Sequence, residues 1–158
     1  MRVDDLKSFL TGSWRVSRRI SDHRGSVSGW FSGDAVFSPV DGGLRYQEQG
    51  ELIWGGLSGP ASRAYVYSFD DVHRADVWFD DGGYFHALDL SEGRWRVRHD
   101  CADDVYDGAF RVLRDDAWTA VWCVSGPRKG YVLRTRYWRP GGEGRRDPLQ
   151  ATESGAVR

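Results

Sequence analysis

The residues best equipped for chemistry recur at alternate positions of short, β-type segments. In the run 94–101, Trp95, Val97, His99 and Cys101 share one parity, and Arg94, Arg96, Arg98 and Asp100 share the other. Successive side chains of a strand point to opposite faces. One face of this run is therefore wet, and the other carries an imidazole and a thiol inward. The same inward parity elsewhere collects Arg18, Glu48, His86 and Tyr106. Buried polar groups cost free energy unless they are paired. An interior furnished this way points to a barrel with a polar-lined centre, a place for a ligand or for a reaction.

The chemistry open to these groups differs. An imidazole's ordinary pKa lies near neutrality, so His86 or His99 would suit general acid or base work. Tyr106 or Arg18 would stabilise developing oxyanion charge beside them. His86, His99 and Cys101 are competent ligands for zinc or copper, or a thiolate–imidazole nucleophile. Their spacing matches no metal signature, so satisfied interior histidines are expected, with no metal and no cofactor. Arg18 and Glu48 read either as a structural ion pair or as a site for an anionic or carbonyl group. Tyr46, Tyr65, Tyr67 and Trp122 would supply aromatic walls. Lys129, in the turn Gly126-Pro127-Arg128-Lys129-Gly130, would hold an anionic group at a barrel mouth or simply complete a tight basic turn. Asp103, Asp104 and Asp107 lack the spacing of a calcium loop and read as a solvated turn.

The elements that position these residues follow at hairpin spacing. Strands are expected near 13–22, 26–37, 43–53, 62–69, 74–79, 84–90, 94–101, 105–113, 118–125 and 130–138. Turn residues separate them, as in Asp41-Gly42-Gly43, Asp80-Asp81-Gly82-Gly83 and Ser91-Glu92-Gly93. Connections this short force antiparallel neighbours and leave no room for crossover helices. The fold expected is all-β: an antiparallel up-and-down barrel of about ten strands, closed because closure removes exposed edges. The inward faces carry Trp14, Val16, Arg18 and Ile20; Phe31, Ala35 and Phe37; Leu44, Tyr46, Glu48, Gly50 and Leu52; and Tyr65, Tyr67 and Phe69. Later strands add Tyr84, His86, Leu88 and Leu90; Tyr106, Phe110 and Val112; and Trp118, Trp122 and Val124. The last strand is ambiguous between Tyr131, Leu133, Thr135 and Tyr137 on one face and Arg134 and Arg136 on the other. Residues 4–11 form a short helical turn stopped by Gly12. Residues 1–139 make one barrel domain, and 140–158, without apolar period, read as a disordered tail.

Composition narrows the partners. The 158 residues carry a formal charge of −1, with lysine only at Lys7 and Lys129, which gives no reason to expect nucleic acid. No stretch approaches the ~20 apolar residues that span a bilayer, and residues 1–7 lack a signal-peptide core. A cytoplasmic protein is expected, with Cys101 and Cys123 as free thiols. A homodimer stays open.

Gly12-Ser13-Trp14, after the helical turn, resembles the Gly-x-Trp opening of lipocalins and their calycin relatives. In that group the Trp closes one barrel end under an Arg from the last strand, so the resemblance offers Arg136 or Arg139 as its partner. Four further patterns are more particular: Tyr46-x-Glu48-x-Gly50, Phe79-x-Asp81-Gly82-x-x-Phe85-His86, His99-x-Cys101-x-x-Asp104-x-Tyr106 and Gly126-Pro127-x-Lys129. Together they resemble the lipocalin-like domain-of-unknown-function family 6314 over nearly the whole chain to about Arg139. The resemblance implies a calycin-type barrel with a small-molecule cavity and brings no catalytic residue. The expected function is binding of a small, partly apolar organic ligand, oriented by Arg18, His86, His99 and Tyr106. The alternatives are an isomerase, cyclase or hydrolase using His86 or His99, and haem or metal carriage through a histidine.

Overall fold

The computed structural model describes residues 1–141. One helix, α1 (Leu6–Leu10), precedes ten strands: β1 (Gly12–Asp22), β2 (Val27–Val40), β3 (Gly43–Trp54), β4 (Leu57–Phe69), β5 (Arg74–Phe79), β6 (Tyr84–Asp89), β7 (Arg94–Cys101), β8 (Asp104–Arg114), β9 (Ala117–Ser125) and β10 (Gly130–Trp138). They form one sheet in the order β6-β5-β4-β3-β2-β1-β10-β9-β8-β7. Every pairing is antiparallel, and β1 pairs with β10 from Arg15↔Trp138 to Asp22↔Tyr131, rolling the sheet into a nearly closed barrel. Of the tail expected over 140–158, residues 142–158 lie outside the described residues.

The longest departure from the expected strands is β4, which begins at Leu57 rather than near 62. Gly55 and Gly56, at φ 56° and 86°, make a two-residue turn that pairs Trp54 with Leu57. Positive φ at both positions is what such a turn needs and what glycine supplies without strain. β5 pairs only with Tyr65–Phe69 of β4. The first part of β4 is thus an edge on that side, where Pro60 needs no partner for the N–H it lacks.

The ends of the sheet, β6 and β7, share no ladder. Trp95 Nε1 bridges the seam by donating to Ala87 O at 2.9 Å. The N-terminus closes it below: Val3 N donates to Leu90 O at 3.2 Å and the Met1 amino group to Val112 O at 3.1 Å. Asp5 caps α1 through Ser8 N, and α1 buries Leu6 and Leu10 in the core cluster that also holds Leu44, Leu88 and Leu90. Trp14 Nε1 donates to Leu10 O at 2.8 Å. The Arg139 guanidinium lies 3.8 Å from the Trp14 ring and donates to Ser13 O and Phe9 O. Arg139, and not Arg136, is therefore the cover of Trp14. This end is packed, and the opposite end is hollow.

Three orientations depart from the alternating pattern or resolve it. On β10, Thr135 and Tyr137 are buried and Leu133 faces the cavity, leaving Arg134 and Arg136 on the other face. On β6, Tyr84 is 46% exposed rather than inward. A bulge pairs Trp78 with Tyr84 and Val77 with His86, so Phe85 is the extra residue, and Phe85 and His86 both turn inward. Cys101 keeps the inward parity but is exposed, because it is the last residue of β7 and no facing wall remains there.

Candidate functional site

Arg18 of β1 stands beside Thr135 of β10 and Phe31 of β2 in the strand register. Its Nε donates to Thr135 Oγ1 at 2.8 Å, and its Nη1 and Nη2 donate to Glu48 Oε2 and Oε1 at 2.6 and 2.9 Å. Both side chains are almost wholly buried. Tyr46, two residues from Glu48 and so on the same face of β3, donates to Oε1 at 2.5 Å. Tyr137 Oη lies 3.3 Å from Tyr46 Oη. Burial works against the Glu48 charge, but the Arg18 hydrogen bonds and the charges of Arg63 and Arg18 outweigh it and hold the carboxyl down at about 2. The two inward charges read from the sequence are thus each other's partners.

Arg63 was missing from that reading. It shares parity with Tyr65, Tyr67 and Phe69 on β4 and sits directly opposite Glu48 in the ladder. The alternation that would have found it is hidden by the Gly, Ser and Pro residues just before it. Its Nε is ion-paired with Glu48 Oε1 at 3.0 Å but lacks hydrogen-bond alignment, so it is buried without a hydrogen-bond partner. The side chain is 34% exposed, and its guanidinium carbon lies 5.5 Å from the centre of the Tyr65 ring.

Arg63 and Leu133 line two adjoining chambers. The larger, of about 230 Å³, is walled by Tyr46, Tyr65, Tyr67, Phe79, Phe85, Phe110 and Trp122 and also reaches His86, Tyr106 and Trp118. The smaller, of about 160 Å³, holds Arg18, Phe31, Glu48 and Leu52. Phe85 stacks on Phe79 at 4.4 Å and on Trp122 at 4.8 Å. Trp122 lies over Gly108, where a Cβ would come within 2.8 Å of its ring. Any larger residue at Gly108 would push the indole into the chamber. Trp118 stacks on Tyr137 at 3.9 Å, and its Nε1 is buried without a hydrogen-bond partner.

His86 is buried with Nδ1 2.7 Å from Ala87 O. A carbonyl only accepts, so Nδ1 carries the proton and Nε2 is a bare acceptor. Nε2 has no hydrogen-bond partner among the described residues. Burial pushes the His86 pKa down to about 4, with the Ala87 hydrogen bond working the other way and His99 adding to the depression. The ring is neutral at pH 7.

His99 is half-buried and meets Phe85 and Tyr106 edge-on, at 5.4 and 6.0 Å between ring centres. It does not form part of the cavity wall. Lys129 is exposed, 3.2 Å from Asp104 Oδ2 and 3.5 Å from Tyr106 Oη. The structure therefore gathers Tyr46, Tyr65, Tyr67, His86, Tyr106 and Trp122 around one chamber. It places Arg18 and Glu48 in the next, and leaves Cys101 and Lys129 outside. No group of three or more His, Cys, Asp or Glu side chains gathers among the described residues. A larger open groove of about 660 Å³ lies on the outer side of β7–β9, edged by Arg94, Arg96 and Arg111. None of its residues has a buried polar atom without a partner, so the interior chamber is the stronger candidate.

The model of the family DUF6314, a family of unknown function, matches residues 10–139. This chain belongs to the DUF6314 family. Among curated proteins none matches it. A solved structure similar to this DUF6314 barrel is the S-type phycobiliprotein lyase CPES from Guillardia theta, at TM-score 0.57 and 10% identity, covering 88% of this chain and 93% of that one. A DUF3598-family protein of unknown function from Nostoc punctiforme aligns at TM-score 0.50 and 12% identity, over 86% of this chain and 49% of that one. This chain spans about half of that protein. A de novo designed fluorescence-activating β-barrel aligns at TM-score 0.48 and 12% identity, over 87% of this chain and 99% of that one. At these identities the likeness is one of fold, an antiparallel β-barrel. No helix among the described residues is long and apolar enough to cross a membrane.

Proposed function

We propose that the barrel binds a small, partly apolar organic molecule in its aromatic chamber, a lipocalin-like use of the calycin barrel. The observation that carries this reading is the lining of the 230 Å³ chamber. Its walls are aromatic, and Arg63 Nε and Trp118 Nε1 are buried without hydrogen-bond partners. Interiors normally close-pack and satisfy their polar groups. A native barrel that does neither at one end is shaped for something that fills it. At about 30 Å³ per water, the chamber has room for roughly eight, the size of a one- or two-ring molecule.

Binding leads over acid–base catalysis because of His86. Held neutral with a pKa of about 4, it accepts a hydrogen bond at neutral pH and has little proton to give. The test is native mass spectrometry of the purified protein together with tryptophan-fluorescence titration using small aromatic probes. Ala120→Phe, which fills the chamber from a buried lining position, should abolish binding while a cooperative melt persists. Unchanged probe affinity in a folded A120F protein would overturn the reading.

A further inference from the structure

We propose that the molecule held in this chamber is an anion: a planar apolar body with a carboxylate-like head set against Arg63. The inference rests on the binding reading above and adds the charge class of the ligand.

Among the described residues the interior holds three ionised groups, Arg18 and Arg63 positive and Glu48 negative. Glu48 accepts from Arg18 at both of its oxygens and from Tyr46 at Oε1. Arg63 approaches the same Oε1 as a third donor and finds no aligned acceptor. A guanidinium has five N–H donors in a planar fork. None of those of Arg63 makes a hydrogen bond among the described residues. One carboxylate thus serves two guanidiniums, and it is geometrically committed to Arg18.

A charge that shares its counter-ion with a second guanidinium, next to a low-dielectric cavity, is only partly compensated and costly. Arg63 lowers that cost by keeping a third of its side chain in solvent and by lying over Tyr65. A carboxylate in the chamber would meet the unused fork in a bidentate, charge-assisted pair. It would also restore electroneutrality. The rest of the chamber supplies aromatic rings, several tyrosine hydroxyls, the unpartnered Trp118 Nε1 donor and the Nε2 acceptor of His86, and no second charge. A cationic ligand would face the Arg63 guanidinium and find Glu48, in the adjoining chamber, engaged by Arg18. Neutral apolar molecules would gain the burial and leave Arg63 as it is.

The test uses matched probes that differ only in charge: 2-naphthoate and its neutral counterpart 2-naphthamide, titrated by tryptophan quenching and by calorimetry. The native protein should bind naphthoate at least about tenfold more tightly than naphthamide. Arg63→Gln should erase that preference by weakening naphthoate alone, and Arg63→Lys, which keeps the charge and loses the fork, should retain part of it. Equal affinity of the two probes for the native protein would overturn the anion proposal and leave the binding reading standing. A preference that survives in R63Q would place the anion elsewhere and overturn the assignment to Arg63. If neither probe binds at millimolar concentration, the binding reading falls with it. The comparison on the native protein decides the charge preference even where R63Q does not fold, and R63K then locates it.

Discussion

Glu48→Gln is the sharpest perturbation this barrel offers. The substitution keeps the volume and removes one negative charge. It leaves Arg18 fully buried, 5% exposed, with Arg63 beside it and no anion for either. Removing one partner of a buried ion pair typically costs about 3–5 kcal/mol. The acid–base equilibrium gives a separate magnitude. A carboxyl held at about 2 instead of its ordinary 4.5 contributes about 3 kcal/mol. The sign follows from linkage: a carboxyl with a depressed folded pKa stabilises fully above its unfolded pKa and loses that contribution as pH falls toward the folded value. The native protein should therefore shed this stability between about pH 4.5 and pH 2. At about 3 °C per kcal/mol for a domain of this size, E48Q should melt roughly 10 °C lower at pH 7. Urea unfolding followed by tryptophan fluorescence, at steps from pH 7 to pH 2.5, reads both effects. E48Q should start about 3 kcal/mol lower and converge on the native curve in acid. Replacing both partners, Arg18→Met with Glu48→Leu, should cost less than E48Q alone, since no charge is stranded at Arg18. A loss under about 1 kcal/mol at pH 7, or an unchanged acid slope in E48Q, would refute the pairing as the source of this stability.

Three further outcomes are expected. His86, with a folded pKa of about 4 against an ordinary 6.5, contributes fully above about pH 6.5 and loses about 3 kcal/mol as pH falls to about 4. His86→Gln should flatten the native stability profile over that window, measured by the same urea titrations. Gly108→Ala places a methyl against the Trp122 ring; overpacking should cost about 1–3 kcal/mol and weaken probe binding, read by calorimetry and by a shift in tryptophan emission. Arg139→Ala removes the cover of Trp14 and two hydrogen bonds to carbonyls, and should lower stability by about 2 kcal/mol with no change in probe affinity.

The barrel was legible because its signals are local. Alternation fixes which residues share a face, and turn residues fix where the chain reverses, so the ten strands and most inward positions follow from neighbours in the sequence. Arg18 and Glu48 could be placed inside, although residues 30 apart in the chain carry no mark of touching. The errors lie where alternation stops being the rule. The bulge beside Trp78 and Tyr84 turns Tyr84 out and brings Phe85 in, although Phe85 stands in one of the motifs that suggested the family. Cys101 has the right parity at a position where the wall has ended.

What the sequence determined by itself is the container: antiparallel strands, a capped and packed end, and a polar interior whose charges need partners. Only the tertiary structure decided how those charges are shared. It gave Glu48 to Arg18, left Arg63 without an aligned acceptor beside an aromatic chamber, and fixed His86 as an acceptor through Ala87. The physical reason is that pairing depends on distances and directions across strands. A one-dimensional pattern shows which face a side chain occupies, and the closing of the sheet brings those faces to a common centre.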